Sequence, residues 1–235
     1  MAHIRLLSVN DRIHWLRLAI VGVALLSAVA YRIYAPRLGL TPNVELVTMT
    51  AFLAASLLRT RWTVLVPLVA VALSDLVLGN TFLLAFTWGA WALIGLGALL
   101  IRRLTANDAE NAAIKPDLSA IESGGQPIRR SATTTSVWRR LAVALGFAVG
   151  STAFFFLFTN FGVWATTGWY PHTWDGLVTT YAMGVPFARP QLFANLIALP
   201  VAAVVVLLVE RTERICVERA TVLAKSAPAA VTKTG

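Results

Sequence analysis

The chain has 235 residues, of which 57% are apolar and 13% charged, with a mean hydropathy of +0.71. A soluble domain carries about 25% charged residues, so this composition excludes a body that faces water on all sides, and the excess apolar surface calls for lipid. The net charge of +9 sits in short segments between apolar runs rather than along one phosphate-tracking face, which excludes a nucleic-acid partner.

A bilayer-spanning helix needs roughly 20 mostly apolar residues. In chain order six stretches qualify: residues 15–34, 43–58, 62–79, 82–101, 138–158 and 191–209. The second is slightly short. The first has a competing reading as a secretory signal, because Arg5, Arg12 and Arg17 precede an apolar run ending Ala28-Val29-Ala30. That run continues through Tyr31, Ile33 and Tyr34, and more spans follow, so an uncleaved first helix is the simpler account. Eight Trp residues fit the enrichment of Trp at membrane–water interfaces.

Basic residues give the orientation. Of 20 Lys and Arg, 17 fall in the N-terminal segment, the 2–3 connection, the 4–5 connection and the tail. Arg32, Arg37 and Arg189 are left for the other side. The positive-inside rule then puts both termini in the cytoplasm of a multi-pass, all-α protein in the cell membrane. Residues 1–14 form the N-terminal segment, and 105–136, polar and carrying Gly124-Gly125, read as a flexible cytoplasmic linker. Residues 211–235 form the cytoplasmic tail. No phosphate-cradling glycine loop is present, so the chain does not read as an ATPase.

Polar residues inside apolar runs are the candidates for function. Asp75 sits near the outer end of the third span, with Arg32 at similar depth in the first; an ion pair between them would lower the burial penalty of both. Asn43, after Pro42, opens the second span and serves equally as a helix start. The densest signal is the outer stretch 159–189, preceded by Phe154–Phe158 and containing Asn160, Gly162, Trp164, Trp169, Tyr170, Trp174 and Tyr181. It includes a second apolar patch, 177–187, interrupted by Gly184 and Pro186, which predicts an interfacial or re-entrant segment. An aromatic belt explains the Trp and Tyr residues; a pocket for a small, partly apolar ligand also explains the Asn residues among them. Small residues at helix-packing spacing occur at Ala24 and Ala28, at Ala51 and Ala55, and at Gly146 and Gly150 with Ala142 on the same face.

His3, His14 and His172 fall on opposite sides, and no carboxylates pair on one face, so the sequence predicts no metal site, cofactor or catalytic constellation.

Thr41-Pro42-Asn43, Ser74-Asp75-Leu76, the block Phe155–Trp164, Tyr170-Pro171, Gly176-Leu177 and Pro186-Phe187 together resemble a family of small bacterial membrane proteins of unknown function. In size, span count and orientation that family is similar, at the level of fold, to the substrate-binding S components of energy-coupling-factor vitamin transporters. The resemblance implies a six-helix bundle that captures a vitamin-like molecule on the outer side. It also implies a transmembrane coupling subunit and ATPases as partners, with Ala24 and Ala28 packing toward that subunit. The linker 105–136 departs from such a compact fold.

The resulting expectation is an uptake component, not an enzyme, binding its substrate through Asn43, Asp75, Asn160, Trp164, Tyr170 and Tyr181. The alternatives are a membrane scaffold or assembly protein without a ligand, and an intramembrane enzyme acting on lipid with Asp75 as acid or base.

Overall fold

The computed structural model describes residues 9–40, 44, 46–58, 60–79, 83–114 and 132–226. Among these residues six α-helices follow in chain order: α1 (Val9–Tyr34), α2 (Val47–Leu58), α3 (Leu65–Leu78), α4 (Leu84–Ile114), α5 (Ala132–Thr166) and α6 (Trp174–Ser226). A single 3-10 turn, Arg61–Val64, leads into α3, with the Thr60 hydroxyl accepting from the Trp62 N–H at 3.4 Å. Pro67 falls in the first turn of α3, where its missing N–H has no helical partner to lose.

Side-chain contacts at the two ends fix the helix directions. At one end Arg32 of α1 meets Ser74 and Asp75 of α3, and Phe86 of α4 packs on Phe158 of α5, ring centres 5.4 Å apart. At the other end Arg17 of α1 pairs with Glu213 of α6, and Arg140 of α5 with Glu210 of α6 at 2.8 Å. Thus α1, α3 and α5 run one way, while α4 and α6 run the other.

Among the described residues five segments are long and apolar enough to cross a bilayer: Asp11–Tyr34, Arg61–Leu78, Leu84–Thr105, Val137–Thr166 and Trp174–Arg219. α2 is different. Its 12 residues rise about 18 Å at 1.5 Å each, short of the roughly 30 Å hydrocarbon core. Nine of them are buried, and α2 packs against α1, α3, α4 and α6. It is the central post of the bundle rather than a lipid-facing wall. Ala24 and Ala28 of α1 and Ala51 and Ala55 of α2 all lie in the core. There the backbones come close enough for the Thr50 hydroxyl to donate to the Ala24 carbonyl at 3.2 Å.

Three sequence expectations change. The stretch 105–136 is not all linker, since α4 continues through Ile114 and α5 begins at Ala132; residues 115–131 lie outside the described residues. The outer stretch 159–189 is not a loop with a re-entrant segment. α5 runs on to Thr166, the connection is 167–173, and 177–187 belongs to the unbroken α6, which also extends past residue 211 to Ser226. Among the described residues Gly146 and Gly150 pack against no neighbouring helix. Both are exposed, as is Ala142, and a methyl group at either glycine would meet nothing within 4 Å.

A direct consequence follows for the two glycines. With no clash to create and better helix propensity to gain, Gly146→Ala and Gly150→Ala are each expected to leave stability unchanged or raise it by up to about 1 kcal/mol. Thermal unfolding of the detergent-solubilised monomer checks this; a clear loss would mean the face is packed.

Candidate functional site

The polar residues of the apolar segments gather in two places. The first ties α1, α3 and α4 together. The Arg32 guanidinium donates to Ser74 Oγ at 2.8 Å and to Asp75 Oδ1 at 3.1 Å. The Trp88 indole N–H donates to Asp75 Oδ2 at 2.8 Å. Ser74 in turn donates to the Val71 carbonyl at 2.8 Å. Asp75 is only 7% exposed, yet both its oxygens hold a donor. A buried carboxylate persists on these terms, paired and hydrogen-bonded at once. The arrangement holds helices together and presents no open face of the carboxylate.

The second place is a half-open cavity of about 90 Å³ between α5 and α6, lined by Phe155, Phe156, Thr159 and Asn160 on one side and Gly184, Phe187, Ala188 and Gln191 on the other. Helix periodicity builds both walls. On α6 the buried positions Gly176, Thr180, Gly184, Gln191 and Asn195 recur every four or seven residues and form one stripe. That stripe then turns apolar through Leu199, Ala202, Val206 and Val209. Gly184 is required by close approach, because a Cβ there would collide with the side-chain amide of Asn160. Asn160 Nδ2 donates to the Phe156 carbonyl at 2.8 Å, so its amide is satisfied by its own helix and helps shape the wall.

Gln191 stands apart. It is 4% exposed, and its Nε2 has no hydrogen-bond partner among the described residues. Trp91 Nε1 and Arg17 Nε are likewise without a partner among the described residues, but Gln191 lines a cavity, where water or a ligand can reach its donor. One turn further along, Asn195 is fully buried. Its Nδ2 donates to Thr152 Oγ1 at 2.9 Å and Thr48 Oγ1 at 3.4 Å, joining α6 to α5 and α2. No charged side chain lines the cavity.

The sequence-predicted residues are therefore dispersed. Asn160 lines the cavity, and Asp75 belongs to the Arg32 network. The Trp164 indole donates to the Pro171 carbonyl at 3.0 Å and its ring meets His172 and Phe161, both at 5.6 Å, closing the α5–α6 turn. The Tyr181 hydroxyl donates to the Leu157 carbonyl at 3.2 Å, its ring against Phe156. Tyr170 is half-buried within the turn. Asn43 lies outside the described residues. Gln191, Asn195 and Trp88 escaped the sequence reading as site residues, and Ser74 entered it only within the motif Ser74-Asp75-Leu76. Gln191 and Asn195 were nonetheless detectable, as two amides at i and i+4 in the most apolar span of the chain.

Among the described residues no group of three or more His, Cys, Asp or Glu is placed to hold a metal ion.

A bundle of apolar helices with its few polar groups turned inward defines an integral membrane protein that lies in a lipid bilayer. The chain belongs to DUF6580, a family of unknown function, which it matches over residues 12–216. No curated protein and no solved structure matches the chain.

Proposed function

We propose that this protein binds a small solute in the cavity between α5 and α6, as the recognition part of an uptake system in the cell membrane. The supporting observation is Gln191 Nε2, a buried donor without a partner among the described residues, on the wall of a cavity that also carries aromatic rings. The distribution of basic residues supports both termini in the cytoplasm and the cavity toward the outer side. The volume narrows the ligand. Drug-sized ligands occupy about 300–1,000 Å³, whereas about 90 Å³ suits a solute of a few heavy atoms. A vitamin-like substrate would extend through the open side or need α5 and α6 to separate. Recognition alone moves nothing, so this reading includes a transmembrane coupling subunit and ATPases, and it assigns the chain no catalysis of its own.

The test is thermal unfolding of the purified full chain against a panel of neutral metabolites graded by size. The smallest members are expected to raise the melting temperature, and Gln191→Leu is expected to abolish the shift. A shift that survives in Gln191→Leu would place the ligand elsewhere.

A second reading, a scaffold that assembles with other membrane proteins, has one specific observation in its favour. The face carrying Ala142, Gly146 and Gly150 is exposed on α5, where a second helix would approach closely. Cross-linking in native membranes separates the readings: a stable protein partner with no solute-dependent shift supports the scaffold.

A further inference from the structure

We propose that the cytoplasmic end of the groove between α3 and α4 binds an anionic phospholipid of the inner leaflet, with the guanidinium groups of Arg61 and Arg103 on its phosphate. The site uses the orientation with both termini in the cytoplasm. It lies at the opposite end of the bundle from the α5–α6 cavity and stands whether or not a solute binds there.

The two arginines reach the same depth from different elements. Asp75 of α3 and Trp88 of α4 are hydrogen-bonded at 2.8 Å near the outer end. From Asp75 back to Leu65, α3 descends about 15 Å at 1.5 Å per residue. The 3-10 turn Arg61–Val64 adds about 8 Å at 2.0 Å per residue, which sets Arg61 about 23 Å below Asp75. From Trp88 to Arg103, α4 descends about 22 Å. The two elements also touch on the way down, since a Cβ at Gly95 would run into the Val64 carbonyl and the Pro67 ring. Arg103 lies about 80° round α4 from that contact, at 3.6 residues per turn. It is exposed, so it stands on the flank of the groove that faces lipid and headgroups.

Charge and apolar surface together name the occupant. Arg17, Arg32 and Arg140 each pair with a carboxylate. Neither Arg61 nor Arg103 does so among the described residues. The Arg61 guanidinium lies over the Trp62 ring, 5.5 Å from its centre, and Trp62 is 64% exposed, an indole at headgroup depth. Toward the membrane centre Leu65, Leu96 and Leu100 are exposed and offer acyl chains an apolar surface. Guanidinium groups bond phosphate oxygens in pairs, and basic pockets between spans on the cytoplasmic side hold anionic headgroups. A zwitterionic headgroup carries its own cation, which two arginines repel, so the site selects net negative charge. The leucines beside it select a lipid over a soluble phosphate.

Native mass spectrometry of the full chain tests this by titration with phosphatidylglycerol and phosphatidylcholine of identical acyl chains. Phosphatidylglycerol is expected to bind at least about tenfold more tightly. Arg61→Gln and Arg103→Gln are each expected to weaken it about fivefold and to leave phosphatidylcholine unchanged. Arg37→Gln, exposed beyond the outer end of α1, is expected to change neither. Glycerol phosphate is expected not to displace the lipid. Should a glutamine variant lose its fold, the two lipids and glycerol phosphate on the unaltered protein decide the matter. Equal affinity for the two lipids would overturn the inference, as would a loss in Arg37→Gln as large as that in the double variant Arg61→Gln with Arg103→Gln. Displacement by glycerol phosphate would make a soluble phosphate the ligand and overturn it as well.

Discussion

Asp75→Leu is expected to destabilise the protein by about 3–5 kcal/mol, the range for removing one partner of a buried ion pair. The reason is what it leaves behind. Arg32 keeps its charge at a site whose side chain is 16% exposed, and the Trp88 indole N–H loses its acceptor. Three helices meet at this carboxylate, so the loss falls on the packing of α1, α3 and α4 together. Asp75→Asn is expected to be milder, since the amide oxygen still accepts one of the two donors. The double variant Arg32→Leu with Asp75→Leu is expected to recover much of the loss, because no buried charge remains unanswered. Thermal and denaturant unfolding of the unaltered protein, Arg32→Leu, Asp75→Leu and the double variant measure the coupling. Additive losses, with the double variant worse than either single one, would show that the pair does not act as a unit. The same series bears on an intramembrane lipid enzyme: a carboxylate with both oxygens engaged by donors is poorly placed to act as an acid or base.

Gly176→Ala is expected to cost about 3 kcal/mol or more, the upper end of overpacking penalties. A methyl group there would run into the Pro171 carbonyl oxygen, which is backbone and cannot rotate away. That carbonyl already accepts from the Thr173 N–H at 2.8 Å and from the Trp164 indole at 3.0 Å. The Gly176 N–H itself donates to Thr173 Oγ1 at 3.2 Å. The substitution pushes the start of α6 off the turn and frees Trp164, so a shift in tryptophan emission should accompany the lower melting temperature. Gly168→Ala, in the same turn, is the control: a Cβ there meets nothing within 4 Å, and stability should hold.

Much of the bundle was legible because its signal is solvent-driven. The apolar runs of α1, α3, α4 and α5 are long, and lipid-facing helices must be apolar whatever their neighbours. The ends were not legible, for a physical reason. The fifth span reads as ending at 158, before Thr159 and Asn160, yet both bond back to the carbonyl four residues earlier, Phe155 and Phe156. A polar side chain satisfied by its own helix does not stop it. Pro186 and Pro190 likewise lie inside α6, because the stripe Gly176, Thr180, Gly184 and Gln191 packs along α5 on both sides of them. Gly146 and Gly150 show the converse, since a packing motif in sequence does not say whether its partner is in the same chain.

The site was only partly legible. Asp75 and Asn160 drew notice as polar residues in apolar surroundings, but hydrogen bonds to Arg32, Trp88 and Phe156 answer them in the fold. Gln191 and Asn195 are visible in sequence as two amides in the last span, but nothing there shows which of their atoms go unanswered. They matter because three-dimensional packing leaves one atom on each without a partner, and pattern alone does not carry that information.

The central claim, that a solute occupies the cavity between α5 and α6, is tested most directly by protection from a thiol reagent. In a Cys216→Ser background, Ala188→Cys places the only thiol on the cavity wall, and Val201→Cys places one on the exposed face of α6. Small neutral solutes are predicted to slow labelling at position 188 in a saturable way and to leave position 201 unaffected. Labelling at 188 that no such solute slows, or that slows equally at 201, would contradict the account.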